Sequence, residues 1–145
     1  MSSLDIYIER WLDTTPTEAF DAWVDNDARR QWYAMPDGAT VEVENDFVVG
    51  GRWRVAFGLP EQIYVESGVY REIDRPNRIV YTQDFRAPDG SGFETLITVT
   101  FAAHGDKTHF LLVDAGFPDE QSRTAHQNGW PSFLDRYEQV LATKS

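Results

Sequence analysis

The side chains that could do chemistry are few. His104, His109 and His126 are the only histidines, and the chain has no cysteine. A catalytic or metal-binding imidazole needs partners at set spacings, as in HExxH, Gly-x-Ser-x-Gly or an Asp-rich calcium loop. None of these patterns accompanies the three histidines. His104 stands beside a turn, His109 faces outward if Phe110 and Leu112 face inward, and His126 lies near a helix start, so all three read as surface residues. Without cysteine there is no disulfide, thiol nucleophile or thiolate metal site. The expectation is a protein without metal, nucleotide or other cofactor.

Carboxylates are abundant: 24 acidic against 13 basic side chains give a formal charge of −11. Such a surface repels phosphate backbones and anionic lipid, which argues against nucleic acid and membrane as partners. The acidic clusters DAWVDND and PDE suit helix starts, where the dipole favours negative charge. A general acid or base wants apolar neighbours that tune its pKa. Asp84 and Glu94 are the strand-embedded acids to consider, and alternation puts both on the outer face. No catalytic residue is assigned.

The stretch NDFVVGGRWRV raises the question of a phosphate-cradling loop. Such a loop must lead into a helix, whose N–H groups meet the anion. Here the glycines lead into period-two alternation instead, with Trp53, Val55 and Phe57 on one face and Arg52, Arg54 and Ala56 on the other. Gly50 and Gly51 are then expected to supply positive φ in a tight hairpin.

The elements that must position these residues follow from periodicity. LDIYIERWL reads as a first strand. In TTPTEAFDAWV, Thr15 is an N-cap, Pro16 the first helical residue and Glu18 the acid of a capping box, with Ala19, Phe20, Trp23 and Val24 on one face. DNDARRQWY forms a second small helix capped by Asp25 or Asn26. Strands are expected over 39–48, 52–58, 61–74, 78–86, 92–103 and 107–114, joined by hairpin links such as DRPN and HGDK. Trp130, Phe133, Leu134, Tyr137 and Leu141 then mark one face of a C-terminal helix. With no linker or repeat, residues 1–145 read as one domain of α+β class, an antiparallel sheet of about six or seven strands covered by that helix. There is neither a basic start followed by an apolar run nor a window of 18 apolar residues, so a cytoplasmic location is expected.

If each strand keeps its alternation, Trp53, Val55, Phe57, Ile79, Tyr81, Phe85, Ile97, Val99, Phe101, Phe110 and Leu112 form the concave face. Its polar members are Tyr81, Gln83 and Thr95, with Tyr33 reaching in from the small helices. That face is broader than one helix can fill. A cavity is therefore expected, lined by Trp53, Tyr81, Gln83, Ile97 and the Trp130–Tyr137 helix face. The candidate ligand-binding set is Trp32, Tyr33, Trp53, Val55, Phe57, Tyr81, Gln83, Phe85, Thr95, Ile97, Phe110, Leu112, Trp130, Phe133, Leu134 and Tyr137, while no residue is a candidate metal ligand.

The succession PTEAFDAWVDNDARRQWYAMP, DFVVGGRWRV, ESGVYREIDRPNRIVYT, TLITVTF and NGWPSFLDRYEQVL resembles the activator-of-heat-shock-protein-90-ATPase-like branch of the START superfamily. This is the helix-grip fold shared with polyketide cyclases and birch-pollen-type lipid carriers. The resemblance covers nearly the whole chain. It implies a sheet wrapped round a long C-terminal helix, with two short helices after the first strand and a cavity for a small apolar or amphipathic molecule. It implies no fixed catalytic set. Val48 and Val49 depart from the polar or basic residue of many relatives, and Pro131 falls inside what is usually helix.

Three functions compete on this basis: a module binding a small hydrophobic or aromatic molecule, a cyclase- or hydrolase-type enzyme acting on a polyketide-like or aromatic substrate, and a chaperone-partner domain. The family's chaperone activators usually carry an additional domain, and nothing in the residues supports a protein partner, so binding of a small molecule leads. Proline in a helix interior removes a hydrogen bond and costs about 3 kcal/mol, which predicts a break at 128–131 that places Trp130 at the pocket rim.

Overall fold

The computed structural model describes residues 4–143. Its elements run β1 (Ile6–Leu12), α1 (Pro16–Val24), α2 (Asn26–Trp32), β2 (Thr40–Asn45), β3 (Arg52–Leu59), β4 (Gln62–Asp74), β5 (Arg78–Arg86), β6 (Gly92–His104), β7 (Lys107–Ala115) and α3 (Glu120–Thr143). The seven strands form one antiparallel sheet in the order β1-β7-β6-β5-β4-β3-β2. Consecutive strands from β2 to β7 pair as a meander, and β1 closes onto β7, with Ile6 opposite Asp114. This is the α+β arrangement expected from the residues, and it matches the helix-grip fold that the resemblance implies.

The short helices form for local reasons. The Thr15 hydroxyl accepts the Glu18 N–H at 3.2 Å, and Pro16 opens α1 where its missing N–H is harmless. Asp25 ends α1 and caps α2, accepting the Ala28 N–H at 2.9 Å. The buried face of α1 carries Ala19, Phe20, Ala22, Trp23 and Val24. Trp23 is its centre, with ring centroids 4.6 Å from Trp32, 5.1 Å from Tyr137 and 5.4 Å from Phe110. Burying each such side chain contributes about 1.5–3 kcal/mol. The core therefore sits where α1, α2 and the second half of α3 meet the sheet.

Two expectations need correction. The C-terminal helix is not broken at 128–131: α3 runs unbroken from Glu120 to Thr143 with Pro131 inside it. Pro131 is exposed, so its crowded Gln127 carbonyl lies where water can reach. Anchors beyond it hold the helix in line. Tyr137 donates its hydroxyl to the Ala19 carbonyl at 2.5 Å, Arg10 bridges Asp135 and Glu138, and Leu134 is fully buried. Trp130 consequently is not at a rim. It is 6% exposed, a buried wall.

The second correction concerns the glycine pair. Only Gly50 has positive φ, at 85°. Gly51 is needed because a Cβ there would collide with the Asp46 carbonyl oxygen. The link from β2 to β3 is accordingly a six-residue loop rather than a tight hairpin, tied to β4 by Gly50 N–H to the Tyr70 carbonyl at 2.8 Å and Tyr70 N–H to the Gly51 carbonyl at 3.0 Å. Among the described residues no helix is long and apolar enough to cross a membrane.

Candidate functional site

The two halves of α3 differ in composition, and this creates the site. From Trp130 onward the helix buries Trp130, Leu134, Tyr137, Val140 and Leu141. Before it, EQSRTAHQNG carries no large aliphatic residue. Ser122, Ala125, His126, Gly129, Trp130 and Phe133 share one face by their spacing. Three of them are too small to reach the sheet. The space left above β4, β5 and β6 is a cavity of about 520 Å³.

Its opposite wall is built from Phe57 of β3, Tyr64 and Glu66 of β4, Gln83 and Phe85 of β5, Phe93 of β6 and Tyr33 just after α2. The rings form a chain of contacts: Tyr33 to Phe57 at 5.1 Å, Phe57 to Tyr64 at 5.6 Å, Tyr64 to Phe85 at 6.0 Å and Phe85 to Phe93 at 5.6 Å. Phe133 closes the circuit from the helix side, 5.2 Å from Tyr33 and 5.7 Å from Phe57. Exposed Gln121 and Ala125 on the lining bring the cavity to solvent.

Glu66, Gln83 and His126 interrupt this aromatic surface, with Gln121 and Ser122 beside them on the helix side. Glu66 is 6% exposed and accepts the Tyr33 hydroxyl at 2.5 Å. Burial pushes its carboxyl up to about 7; the Tyr33 hydrogen bond opposes the rise, Asp114 adds to it and Arg29 opposes it. Burial likewise raises the Tyr33 hydroxyl, reinforced by Glu66, so Tyr33 stays protonated and donating. Gln83 is 2% exposed, and its Oε1 has no partner within the protein. His126 packs between Phe85 at 4.6 Å and Phe93 at 5.0 Å, and burial lowers its pKa to about 4. It is a neutral imidazole at physiological pH.

A second polar layer lies behind the wall. Trp130 donates its indole N–H to Asp114 Oδ2 at 3.0 Å, while Asp114 Oδ1 is buried without a partner. Burial pushes the Asp114 carboxyl up to about 6 against the pull of Thr95 and Trp130. Arg29 is buried too, donating Nε to the Trp23 carbonyl at 3.1 Å and lying 5.5 Å over the Trp53 ring. Among the described residues no three His, Asp or Glu side chains converge as metal ligands would.

Of the residues expected around a ligand, Tyr33, Phe57, Gln83, Phe85, Trp130 and Phe133 line this cavity. The others do not: Trp32, Trp53, Val55, Tyr81, Thr95, Ile97, Phe110, Leu112, Leu134 and Tyr137 are buried outside its lining. Their polar atoms are mostly engaged elsewhere. Trp53 Nε1 donates to the Thr82 carbonyl at 3.2 Å, Trp32 Nε1 to the Ala22 carbonyl at 3.1 Å, and Tyr81 accepts from Trp23 Nε1 at 3.1 Å. The cavity is therefore shifted from the expected place towards the start of α3. His126 is half-buried rather than on the open surface, because its helical face turns it onto Phe85 and Phe93. His109 is on the outer face, 2.6 Å from Glu9, and His104 packs on Trp11. Asp84 pairs with Arg86 at 2.7 Å.

Sequence reasoning missed Glu66, Asp114 and Arg29. Asp114 was legible, since the alternation that turns Phe110 and Leu112 inward continues to it. Arg29 shares a helical face with Trp32 and Tyr33. Glu66 was hidden because β4 puts Tyr64, Glu66, Gly68 and Tyr70 towards the core side and the aliphatic Ile63, Val65 and Val69 on the other. Gly68 belongs to the same design, as a Cβ there would strike the Thr82 carbonyl of β5.

Known proteins place this architecture. A Chromobacterium violaceum protein of known structure is 27% identical, with 94% of this chain and 96% of that chain covered and a TM-score of 0.83. A Staphylococcus epidermidis protein solved by NMR is 24% identical over 100% of this chain and 93% of its own, with a TM-score of 0.79. An AHSA1-like protein from Aeromonas hydrophila is 21% identical over 97% of this chain and 93% of its own, with a TM-score of 0.77. These last two likenesses concern the fold alone. Among curated proteins there is no significant match. The family model described as "Activator of Hsp90 ATPase homolog 1-like protein" matches residues 13–142. The chain thus belongs to the AHSA1-like family of the SRPBCC superfamily.

Proposed function

We propose that the protein binds a small aromatic or apolar molecule in the cavity between β4–β6 and the first half of α3. The observation that carries this reading is the cavity itself: about 520 Å³, ringed by aromatic side chains, beneath a helix face that is small at Ser122, Ala125 and Gly129. Pockets for small ligands are typically about 300–1,000 Å³, largely apolar, with a few placed polar groups. Glu66 and Gln83 are such groups here. A domain selected only for stability would fill this space, because empty apolar volume forfeits contacts.

Gly129 provides a clean test. A Cβ at this position meets nothing within 4 Å, and the residue is helical, so Gly129→Leu fills the cavity while raising helix propensity by about 0.8 kcal/mol. Titration with the neutral fluorophore N-phenylnaphthylamine is expected to show saturable one-site enhancement for the parent protein. The Leu variant should bind at least about tenfold more weakly, about 1.4 kcal/mol, with an unfolding midpoint equal or higher. No saturable binding by the parent, or equal binding by the variant, would overturn the reading.

A further inference from the structure

We propose that the cavity selects an organic amine in its protonated form, an ammonium group on an aromatic or apolar body, with the cation held among the rings beside Glu66 and Gln83. This names the ligand class of the binding reading above and rests on it.

The chemistry of the wall carries the inference. Tyr33, Phe57, Tyr64, Phe85, Phe93, Trp130 and Phe133 supply seven aromatic rings, whose faces attract cations, and no Lys or Arg lines the cavity. The one carboxyl on the lining is Glu66. Of the acceptors here, Glu66 Oε1 is met by the Tyr33 hydroxyl, whereas Gln83 Oε1 is buried without a partner. An ammonium group brings up to three N–H donors to such a place. A carboxylate or phosphate ligand would instead meet Glu66 with no cation on the wall. A hydrocarbon would leave the Gln83 oxygen unpaired.

The surrounding charges are consistent with this polarity. Arg29, from α2, favours the ionised form of Glu66 and lies outside the lining, its Nε held by the Trp23 carbonyl and its guanidinium over the Trp53 ring while Nη1 is buried without a partner. Asp114, from β7, disfavours that ionisation but adds negative potential for a cation. Tyr33 faces Glu66 as a neutral donor, Tyr81 of β5 is a neutral phenol, and His126 of α3 is uncharged above its pKa of about 4. Because Glu66 loses its proton near about 7, ammonium binding should strengthen as the pH rises through that value.

Three probes with one naphthalene body separate the possibilities: naphthylmethylamine as cation, naphthylmethanol as neutral isostere and naphthoate as anion. Calorimetric titration at about pH 8 is expected to rank cation over alcohol by about tenfold, with the anion weakest. Cation affinity should fall several-fold at about pH 6 while alcohol affinity stays level, and Glu66→Gln should remove both the preference and its pH dependence. Equal affinity for amine and alcohol, or a preference that survives in Glu66→Gln, overturns the inference. Alcohol binding without amine preference leaves the binding reading intact, whereas binding of none of the three defeats both.

Discussion

Glu66 should be retained at a cost in stability, and its isosteric replacement by glutamine measures that cost. The carboxyl moves from an ordinary value of 4.5 to about 7 on folding, because burial removes water from the carboxylate faster than Tyr33 and Arg29 compensate. A group whose pKa is higher folded than unfolded binds more protons in the native state. Its contribution is therefore fully present below about pH 4 and is lost as the pH rises through about 7. At about 1.4 kcal/mol per pKa step, the loss is about 3 kcal/mol. Glutamine keeps the shape and the acceptor for the Tyr33 hydroxyl but never ionises. The variant should match the parent at about pH 4–5 and exceed it by up to about 3 kcal/mol at about pH 9. Urea unfolding followed by tryptophan fluorescence reads this as a midpoint higher by about 1–3 M at high pH, given slopes of about 1–3 kcal/mol per molar. Comparing the two proteins at each pH cancels most of the self-repulsion of a chain carrying −11 charges. Equal midpoints at high pH, or a weaker variant there, would refute the reasoning and show that Arg29 outweighs desolvation.

Two further outcomes are expected. Pro131→Ala restores an N–H to the interior of an unbroken α3 at an exposed position, and should raise stability by about 1–3 kcal/mol in thermal or urea unfolding; a decrease would mean that the proline shapes the helix in a way the native packing requires. Gly68→Ala places a methyl group against the Thr82 carbonyl and the Trp53 indole nitrogen, and should cost more than about 3 kcal/mol or prevent folding, as judged by soluble yield and circular dichroism; a folded variant of parental stability would show that β4 and β5 separate readily at this point.

The order and type of the elements were legible because they rest on local rules. Thr15, Pro16 and Asp25 set helix ends by their own hydrogen bonds and φ preferences. Strands with aliphatic or aromatic residues on one face, such as β3, β5 and β7, disclosed their inner side by alternation, and the buried set of Trp53, Val55, Ile79, Ile97, Phe110 and Leu112 followed. Where polarity and orientation disagreed, the signal failed. The inner face of β4 is the more polar one, which conceals Glu66, and the local cost of Pro131 predicts a break because the anchors that offset it are distant in sequence.

What the residues alone determined is therefore the α+β architecture, a helix lying on an antiparallel sheet, and a surplus of aromatic side chains facing inward. Only the tertiary structure decided where those aromatics fill space and where they enclose it. Trp23, Trp32, Tyr81 and Tyr137 satisfy one another and nearby carbonyls, which closes the core beneath the second half of α3. Ser122, Ala125 and Gly129 face Tyr64, Phe85 and Phe93 across a gap that they are too short to cross. Periodicity reports which side of an element faces inward, but the volume between two facing elements depends on the separation at which both are held by contacts elsewhere. Here Leu134, Tyr137 and Leu141 seat the second half of α3 and so set the height of the first half above β4–β6, leaving Glu66, Gln83 and His126 around an open cavity.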